Sequence, residues 1–258
     1  MAEAQSWTAA QWIELEEVDS TNAEAMRRAV AGARGPLYIR ADRQTAGRGR
    51  SGRVWQLGEG NLALSRLGRV GCTPGEVPQL SFVAGVALYR TTVWALGDGG
   101  GGGRLTLKWP NDVLLDGAKL GGILIEATRL DDALMAVIGI GLNTCQAPEI
   151  PGRRTASLSP VAVKRGSPRA FASLVARHLE DGLELWDDGH GFSSVRDAWL
   201  AGASPEGTQM SIETPEGRVS GRFLGLDEDG SLLMSDQHGD ARRFSYGDVT
   251  LASEREMS

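Results

Sequence analysis

The sequence predicts an α+β fold: a mixed β-sheet with packed helices, followed by a smaller β-rich domain. Short apolar or alternating segments separated by turn signals fill roughly the first 200 residues, and longer patterns with helical spacing interrupt them. After Gly202 only short alternating segments follow, as in a small β-barrel. We therefore expect one domain over residues 1–204 and a second over 205–258.

Each predicted element rests on a local pattern. Asp19 or Ser20 can cap the first helix, and Pro168 stands in the first turn of a later amphipathic helix. The predicted helices cover 20–34, 75–97, 168–188 and 192–201. The predicted strands cover 37–41, 61–65, 105–108, 113–115, 120–127 and 135–141. The glycine run 99–103 lacks a following GK[ST], which favours a surface connection over a phosphate loop.

The composition argues against several functional classes. A net charge of −6 makes general nucleic-acid binding a poor hypothesis, because such binding needs a basic face. Cys72 and Cys145 are far apart, and no histidine–cysteine zinc cluster can be built from sequence neighbours. Neither a signal peptide nor an apolar run of about 18 residues is visible. We expect a cytoplasmic protein that contacts neither DNA nor a membrane.

The segment QTAGRGRSGR at 44–53 is the most informative motif. Its glycines let backbone N–H groups converge on an anion, and each guanidinium offers a planar pair of donors to carboxylate or phosphate oxygens. A solvated basic loop or an RNA contact would have a similar composition. RNA-binding segments of this type usually repeat in disordered tails, whereas this one stands alone between two predicted strands. That setting favours an ordered small-molecule site.

Two motifs on neighbouring strands could add polar groups to such a site. In KWPND at 108–112 the Trp-Pro pair predicts a non-helical segment that presents Asn111 and Asp112. In KLGGILIE at 119–126, Lys119 opens a strand whose paired glycines leave room for something against the backbone. Both motifs also fit a purely structural role.

Two further motifs are weaker. IGIGLN at 138–143 is a strand with two glycines and a terminal amide, and it lacks the further glycine and the helix of a dinucleotide-binding fingerprint. DSTN at 19–22 fits a helix cap, and its hydroxyls could also bind a polar ring.

Together and in this order, the five motifs resemble the catalytic domain of bacterial biotin–protein ligases, from about residue 12 to residue 251. The resemblance implies a class II synthetase-like catalytic domain followed by an SH3-like β-barrel. It implies that biotin is bound by Ser20, Thr21, Asn22, Gln44, Arg48, Gly49, Arg50, Lys119 and Gly122. It implies that ATP is bound by Arg50, Arg53, Trp55, Asn111, Asp112, Lys119, Gly141 and Asn143. The resemblance also implies that Arg48, Arg50, Asp112 and Lys119 are the catalytic residues.

The implied reaction explains these residue types. The biotin carboxylate attacks the α-phosphorus of ATP, which gives biotinyl-5′-AMP and pyrophosphate, and a lysine of a biotin carboxyl carrier protein then attacks the anhydride. Two anions must meet, so cations have to cancel their repulsion. Mg²⁺ would accompany the polyphosphate, and Asp112 would bind it or help to deprotonate the acceptor lysine. No nucleophilic serine or cysteine is required.

Some features depart from the family or leave alternatives open. Family members that also repress transcription carry an N-terminal helix-turn-helix of some sixty residues, which does not fit ahead of Asp19, so we expect no DNA partner. Arg66 stands where an apolar residue is usual. The sequence leaves monomer and homodimer open. A lipoate–protein ligase or octanoyl transferase is the second enzymatic hypothesis, and a nucleotide- or RNA-binding module is the non-enzymatic one.

Overall fold

A seven-stranded mixed sheet forms the larger part of the protein. The computed structural model describes residues 10–97, 104–158, 166–215, 217–236 and 239–251. The sheet has the order β1-β2-β3-β7-β6-β5-β4, and only the β1–β2 pair among its neighbours is parallel. Its strands are β1 Gln11–Val18, β2 Leu37–Gln44, β3 Leu62–Val70, β4 Leu105–Lys108, β5 Asp112–Leu115, β6 Ala118–Leu130 and β7 Ala133–Leu142. The predicted mixed sheet is confirmed, with β2, β3, β6 and β7 longer than predicted.

Strand β1 is an addition that the sequence analysis did not predict. It lies at one edge of the sheet, where Ile13 pairs with Ile39 and Leu15 with Ala41 of β2. Glutamates alternate with its apolar residues, and its side chains are exposed or only partly buried. A half-exposed edge strand has a weak apolar pattern, which explains why the segment gave no clear signal.

Among the described residues, four α-helices pack on the sheet: α1 Thr21–Val30, α2 Leu80–Leu96, α3 Pro168–Trp186 and α4 Phe192–Gly202. The side chain of Ser20 caps α1 as predicted, since the Ala23 N–H donates to Ser20 Oγ at 3.4 Å. The prediction that this helix reaches residue 34 is wrong, because Gly32 adopts a φ of +104° just beyond its end. The predicted helix over 75–97 starts later, after a short 3₁₀ turn that contains Pro78.

A second, five-stranded antiparallel sheet follows α4. Its order is β11-β10-β9-β8-β12, so β11 and β12 are its edges among the described residues. Its strands are β8 Gln209–Thr214, β9 Gly217–Leu226, β10 Leu232–Ser235, β11 Ala241–Phe244 and β12 Asp248–Leu251. This confirms the predicted C-terminal β-structure, while closure into a barrel stays a prediction.

The two sheets share one hydrophobic core. Ile212 and Phe223 of the second sheet belong to the same buried cluster as Leu107 and Trp199. The Trp109 indole N–H also donates to the Gly230 carbonyl at 3.0 Å across this contact. The predicted division at residues 204 and 205 therefore crosses a continuous core, and it stays a prediction.

One expectation falls outside the described residues: the glycine connection at 99–103. Within the described residues, no helix combines the length and apolar character needed to cross a bilayer.

The unusual Arg66 belongs to a buried polar network behind the sheet. Its guanidinium donates to both carboxylate oxygens of Glu180 on α3, at 2.7 and 3.2 Å, and the Tyr38 hydroxyl donates to the same carboxylate at 2.6 Å. The side chains of Arg66 and Glu180 are only 12% and 19% exposed. A charge removed from water to this extent requires its partner.

We expect Arg66→Met to lower the free energy of unfolding by about 3–5 kcal/mol, because it leaves Glu180 buried without its cation. The double variant Arg66→Met/Glu180→Met should recover much of that loss. Arg43→Met is the matched control, because the exposed Arg43–Glu17 pair should contribute at most about 1 kcal/mol. Urea titration of the purified variants measures these differences. Equal stability of Arg66→Met and the wild type would contradict this role.

Candidate active site

A cleft opens over the middle of the large sheet, with about 940 Å³ of empty space when its open mouth is included, and we call it the first cleft. Its walls come from the start of α1, the loop after β2, β5, the start of β6 and the segment after β7. Every site residue expected from the sequence lines it: Ser20, Thr21, Asn22, Gln44, Arg48, Gly49, Arg50, Arg53, Trp55, Asn111, Asp112, Lys119, Gly122, Gly141 and Asn143. The fold therefore brings together residues that are up to 123 positions apart, from Ser20 to Asn143.

Small residues on adjacent strands form the base of the first cleft. Gly122 of β6 pairs with Gly141 of β7, which pairs with Ala63 of β3. Two residues earlier on β7, Gly139 lies on the same face of the sheet and pairs with Ser65 of β3. We call Gly122, Gly139 and Gly141 the glycine floor. The absence of side chains here leaves space directly above the strand backbone.

Side chains of the protein itself lie against the glycine floor. A Cβ atom at Gly141 would lie 2.3 Å from the Trp55 ring, and one at Gly139 would lie 2.2 Å from Asn22 Oδ1. No larger residue fits at either position in this arrangement. The Trp55 Nε1–H is buried and has no hydrogen-bond partner among the described residues. The groups that lie against Gly141 and Gly139 in this structure are thus the Trp55 indole and the Asn22 amide, and a ligand at this place stays a prediction.

Buried hydroxyl and amide groups make up one end of the first cleft, which we call the polar end. The Thr21 backbone N–H and hydroxyl donate to Gln44 Oε1 at 2.8 and 3.1 Å. Ser65 Oγ lies 2.8 Å from Thr21 Oγ1 and donates to Asn22 Oδ1 at 2.6 Å. The sequence analysis missed Ser65, which is fully buried and belongs to a strand without a polar motif. The network fixes the orientation of the amides and hydroxyls at this end.

Arg48 and Asn22 share a carboxylate that the sequence analysis did not assign to the site. The Arg48 guanidinium lies 3.1 Å from Glu126, and Asn22 Nδ2 donates to the same carboxylate at 2.8 Å. The Arg48 side chain is 47% exposed, whereas Asn22 is buried. Glu126 ends the KLGGILIE motif and connects the glycine-arginine loop to β6.

Arg50 is a cation of the first cleft whose hydrogen-bond partner is an amide and not a carboxylate. Its guanidinium donates to Asn111 Oδ1 at 3.2 Å, and no carboxylate lies within ion-pair distance among the described residues. Asn111 is itself fixed, because its Nδ2 donates to the Ile123 carbonyl at 2.7 Å. Burial lowers the pKa of the Arg50 guanidinium from its ordinary value, and arginine still stays protonated at any physiological pH. The arrangement presents a positive charge that an anion can neutralise.

Lys119 and Asp112 form a tight ion pair in the wall. Lys119 Nζ lies 2.6 Å from Asp112 Oδ1 and 5.6 Å from the centre of the Trp55 ring. Lys108 adds a second ammonium group 3.8 Å from the Asp112 carboxylate. Burial raises the pKa of Asp112, but Lys119 and Lys108 outweigh burial and hold that pKa below its ordinary value. Asp112 is therefore a carboxylate at neutral pH.

Hydrogen bonds on both sides of its main chain fix the position of Lys119. Its N–H donates to the Arg154 carbonyl and its carbonyl accepts from the Ala156 N–H, both at 2.9 Å. The Asn143 side-chain amide donates to the Ala156 carbonyl at 3.0 Å and to the Lys119 carbonyl at 3.4 Å. Asn143 lines the first cleft, but in this structure its amide is engaged by the protein backbone.

The second sheet closes the other end of the first cleft. Arg53 Nη2 donates to both carboxylate oxygens of Asp248, each at 2.5 Å. Burial raises the pKa of Asp248, and the contact with Arg53 brings it below its ordinary value. Asp248 starts β12, and it was missed because nothing near it in sequence connects it with a motif 195 positions earlier. Arg153 also lines the cleft and was likewise missed.

This arrangement can bind anions and position them, but its described residues hold no cluster of three or more histidine, cysteine, aspartate or glutamate side chains that could hold a metal ion. Asp112, the carboxylate expected to bind Mg²⁺, lines the cleft together with Asp248, and its role as a metal ligand stays a prediction. Mg²⁺ commonly uses one or two carboxylates together with phosphates and water, so a single aspartate fits that requirement. The site is suited to joining two anionic groups.

Comparisons with known proteins agree with this geometry. A model of the biotin/lipoate A/B protein ligase family matches residues 7–143. The biotin–[acetyl-CoA-carboxylase] ligase of Paracoccus denitrificans is 37% identical over 229 residues, which cover 85% of this chain and 92% of that protein. The bifunctional ligase/repressor BirA of Bacillus subtilis is 33% identical over 216 residues, 82% of this chain and 65% of that protein.

A solved structure extends the similarity to the whole fold. The biotin protein ligase from Aquifex aeolicus in complex with biotin and ATP has a TM-score of 0.74 and 28% identity, covering 93% of this chain and 98% of that one. The similarity includes both sheets, because it leaves little of either chain unmatched. The chain belongs to the biotin/lipoate A/B protein ligase family.

Proposed function

We propose that the protein is a biotin–protein ligase, which activates biotin with ATP to biotinyl-5′-AMP and transfers it to a lysine of a carrier protein. The observation that carries the proposal is the convergence of Arg50 and Lys119 on one cleft above the glycine floor. The relative from Paracoccus denitrificans and the Aquifex aeolicus structure support biotin as the acid and ATP as the activating nucleotide.

Biotin would lie between the polar end and the two central cations. Ser20, Thr21 and Gln44 offer the donors and acceptors that a ureido ring requires, with Asn22 beside them. The glycine floor, with backbone contacts at Gly122 and Gly49, would accommodate the fused rings. The carboxylate would then point away from the polar end, toward Arg50 and Lys119.

The nucleotide would occupy the remaining part of the first cleft. Trp55 offers a flat ring for the base, and Asn111, Asn143 and Gly141 frame the same space. In this structure the Trp55 ring covers Gly141, so a base bound there would require the ring to shift. Arg53 lies at the far end, where it would meet the polyphosphate.

The first step brings a carboxylate oxygen to the α-phosphorus of ATP. Two unit charges 4 Å apart interact by about 4 kcal/mol at an effective dielectric constant of about 20, so uncompensated repulsion would oppose the step. Arg50 and Lys119 would neutralise the carboxylate and the α-phosphate, and Arg48 would help to close the loop over them. The new bond joins the carboxylate oxygen to phosphorus, and the bond to the bridging oxygen of pyrophosphate breaks.

In the second step the uncharged amine of the carrier lysine attacks the acyl carbon, AMP leaves with the bonding electron pair, and the nitrogen loses a proton, which Asp112 would help to remove. Asp112, ionised at neutral pH, can accept a hydrogen bond from that amine as it approaches. In the first step Asp112 would be the residue that holds Mg²⁺, which would supply positive charge beside the polyphosphate. A buried serine or cysteine nucleophile has no part in this scheme.

The carrier and the compartment follow from the same proposal. The name of the Paracoccus denitrificans relative indicates acetyl-CoA carboxylase as the acceptor, which points to its biotin carboxyl carrier domain. ATP, biotin and this carrier meet in the cytoplasm, where we place the protein.

Arg50→Ala and Lys119→Ala should each reduce the rate of pyrophosphate release from ATP and biotin by about 100-fold or more, because each removes a donor aimed at developing charge. Arg43→Ala is the matched control, since this exposed arginine lies outside the first cleft. Thermal unfolding should show all three variants folded. A wild-type rate in Arg50→Ala or Lys119→Ala would refute the assignment of that residue.

The choice of acid separates the proposed function from its alternatives. Intact-mass measurement of a biotin carboxyl carrier domain, after incubation with the protein and Mg-ATP, should show one added biotinyl group with biotin and no addition with lipoate or octanoate. A carrier whose target lysine is replaced by arginine is the control. A lipoyl or octanoyl addition without biotinylation would make the protein a lipoate or octanoyl ligase, and absence of pyrophosphate release would favour a nucleotide- or RNA-binding module.

A further inference from the structure

A carboxylate outside the first cleft ends the hydrogen-bond network of the polar end. The Glu126 side chain is 28% exposed and does not line the first cleft. One of its oxygens accepts from Asn22 Nδ2 at 2.8 Å, and the Arg48 guanidinium lies 3.1 Å from the other oxygen. Glu126 therefore holds the start of α1 and the loop after β2 from outside the space where a ligand would bind.

The neighbours of the Asn22 amide decide which way that amide points, because its oxygen and nitrogen differ little in shape. The Glu126 carboxylate, in an ion pair with Arg48, can only accept hydrogen bonds. The Leu124 carbonyl also accepts, but it lies 3.3 Å from Nδ2, compared with 2.8 Å for the carboxylate. Nδ2 therefore points toward Glu126, and Oδ1 points toward Ser65.

The direction of the Asn22 amide decides where the Ser65 proton goes. A hydroxyl has one proton, and Ser65 Oγ lies 2.6 Å from Asn22 Oδ1 and 2.8 Å from Thr21 Oγ1. Because Oδ1 can only accept, the proton goes to Asn22. Ser65 is fully buried, so bulk water offers this proton no other acceptor. Ser65 therefore gives no proton to Thr21.

The Thr21 hydroxyl is consequently an acceptor toward the first cleft, which it lines. Its own proton has a protein acceptor in either case, Gln44 Oε1 at 3.1 Å or Ser65 Oγ at 2.8 Å. Both arrangements leave Thr21 Oγ1 with lone pairs to which none of the described residues donates. An N–H group of a ligand at the polar end would find its acceptor there.

We propose that Glu126 is a positioning residue, which keeps Thr21 as the hydrogen-bond acceptor for a ring N–H group of the acid in the first cleft. Its carboxylate acts through Asn22 and Ser65 and does not touch the ligand. With Asn22 reversed, Nδ2 would donate to Ser65, and the Ser65 proton would occupy a lone pair of Thr21. The inference rests on the proposed function, since the ureido ring of biotin carries two N–H donors.

The test measures biotin binding to the intact chain by titration calorimetry without ATP. Glu126→Gln keeps the size of the side chain but adds a donor, so the Asn22 amide can reverse. Biotin should then bind about three- to tenfold more weakly, which corresponds to the loss of one hydrogen bond. Glu16→Gln, at an exposed glutamate of β1 outside the first cleft, is the matched control and should bind biotin like the wild type.

Two biotin analogues separate a change in the network from a general loosening of the site. Each is a cyclic carbamate in which an oxygen atom replaces one of the two ring N–H groups. The wild type should bind one of them about tenfold or more weakly than biotin, because two acceptor oxygens would then meet at Thr21. This ratio should shrink in Glu126→Gln, because the Ser65 proton can now turn toward Thr21. A ratio that Glu126→Gln leaves unchanged would overturn the inference.

Ser65→Ala tests the route through the network, because Asn22 is the residue hydrogen-bonded to both Glu126 and Ser65. Without the Ser65 proton, Glu126→Gln should change the carbamate ratio little further in the double variant. Additive effects of the two substitutions would contradict transmission through Asn22. If thermal unfolding shows that Ser65→Ala does not fold, the ratio in Glu126→Gln alone decides.

The binding data also distinguish this inference from the proposed function. Absence of biotin binding to the wild type would refute the proposed function and the inference with it. Normal binding of biotin to the wild type, with the same carbamate ratio in Glu126→Gln, would refute the inference alone.

Discussion

Cations that are held close together in a partly buried cleft repel one another, and the fold around the first cleft compensates for this with carboxylates from separate strands. Arg48 contacts Glu126 at the end of the KLGGILIE motif, Lys119 contacts Asp112 of β5, and Arg53 contacts Asp248 of β12. Arg50 contacts only an amide. These contacts hold the positive groups of the first cleft in place.

The same compensation explains how substrates can be bound. A phosphate or carboxylate that enters the cleft takes over contacts which the protein now makes to itself, so the cations need little rearrangement. The exposed ion pairs should break more readily than the buried Lys119–Asp112 ion pair, because solvent already weakens them. Arg48 and Asp248 are each 47% exposed, whereas the Asp112 side chain is 12% exposed. We therefore expect the loop at 44–53 and the second sheet to be the walls of the first cleft that move when a ligand binds, and the segment around Lys119 to stay in place.

Sequence reasoning found the parts of the site that carry local signals. Glycine-spaced arginines, a Trp-Pro turn and a glycine pair on a strand each have a physical meaning within a few residues. All fifteen expected residues line the first cleft. The identity of the acid could not be derived from the residues and came from the resemblance to a family.

The residues that were missed depend on long-range packing. Ser65 meets Thr21 only because β3 lies beneath the start of α1, and Asp248 meets Arg53 only because the second sheet packs against the first. Strand β1 was missed since its pairing with β2, rather than its own polar pattern, makes it a strand. The length of α1 was overestimated because apolar spacing continues past the glycine that ends the helix.

A crystal structure with biotin and a non-hydrolysable ATP analogue tests the central claim most directly. We expect the biotin carboxylate and the α-phosphate within hydrogen-bond distance of Arg50 and Lys119, with Trp55 moved off Gly141. Ligands bound elsewhere, with the Arg48–Glu126 and Arg53–Asp248 contacts unchanged, would contradict the account.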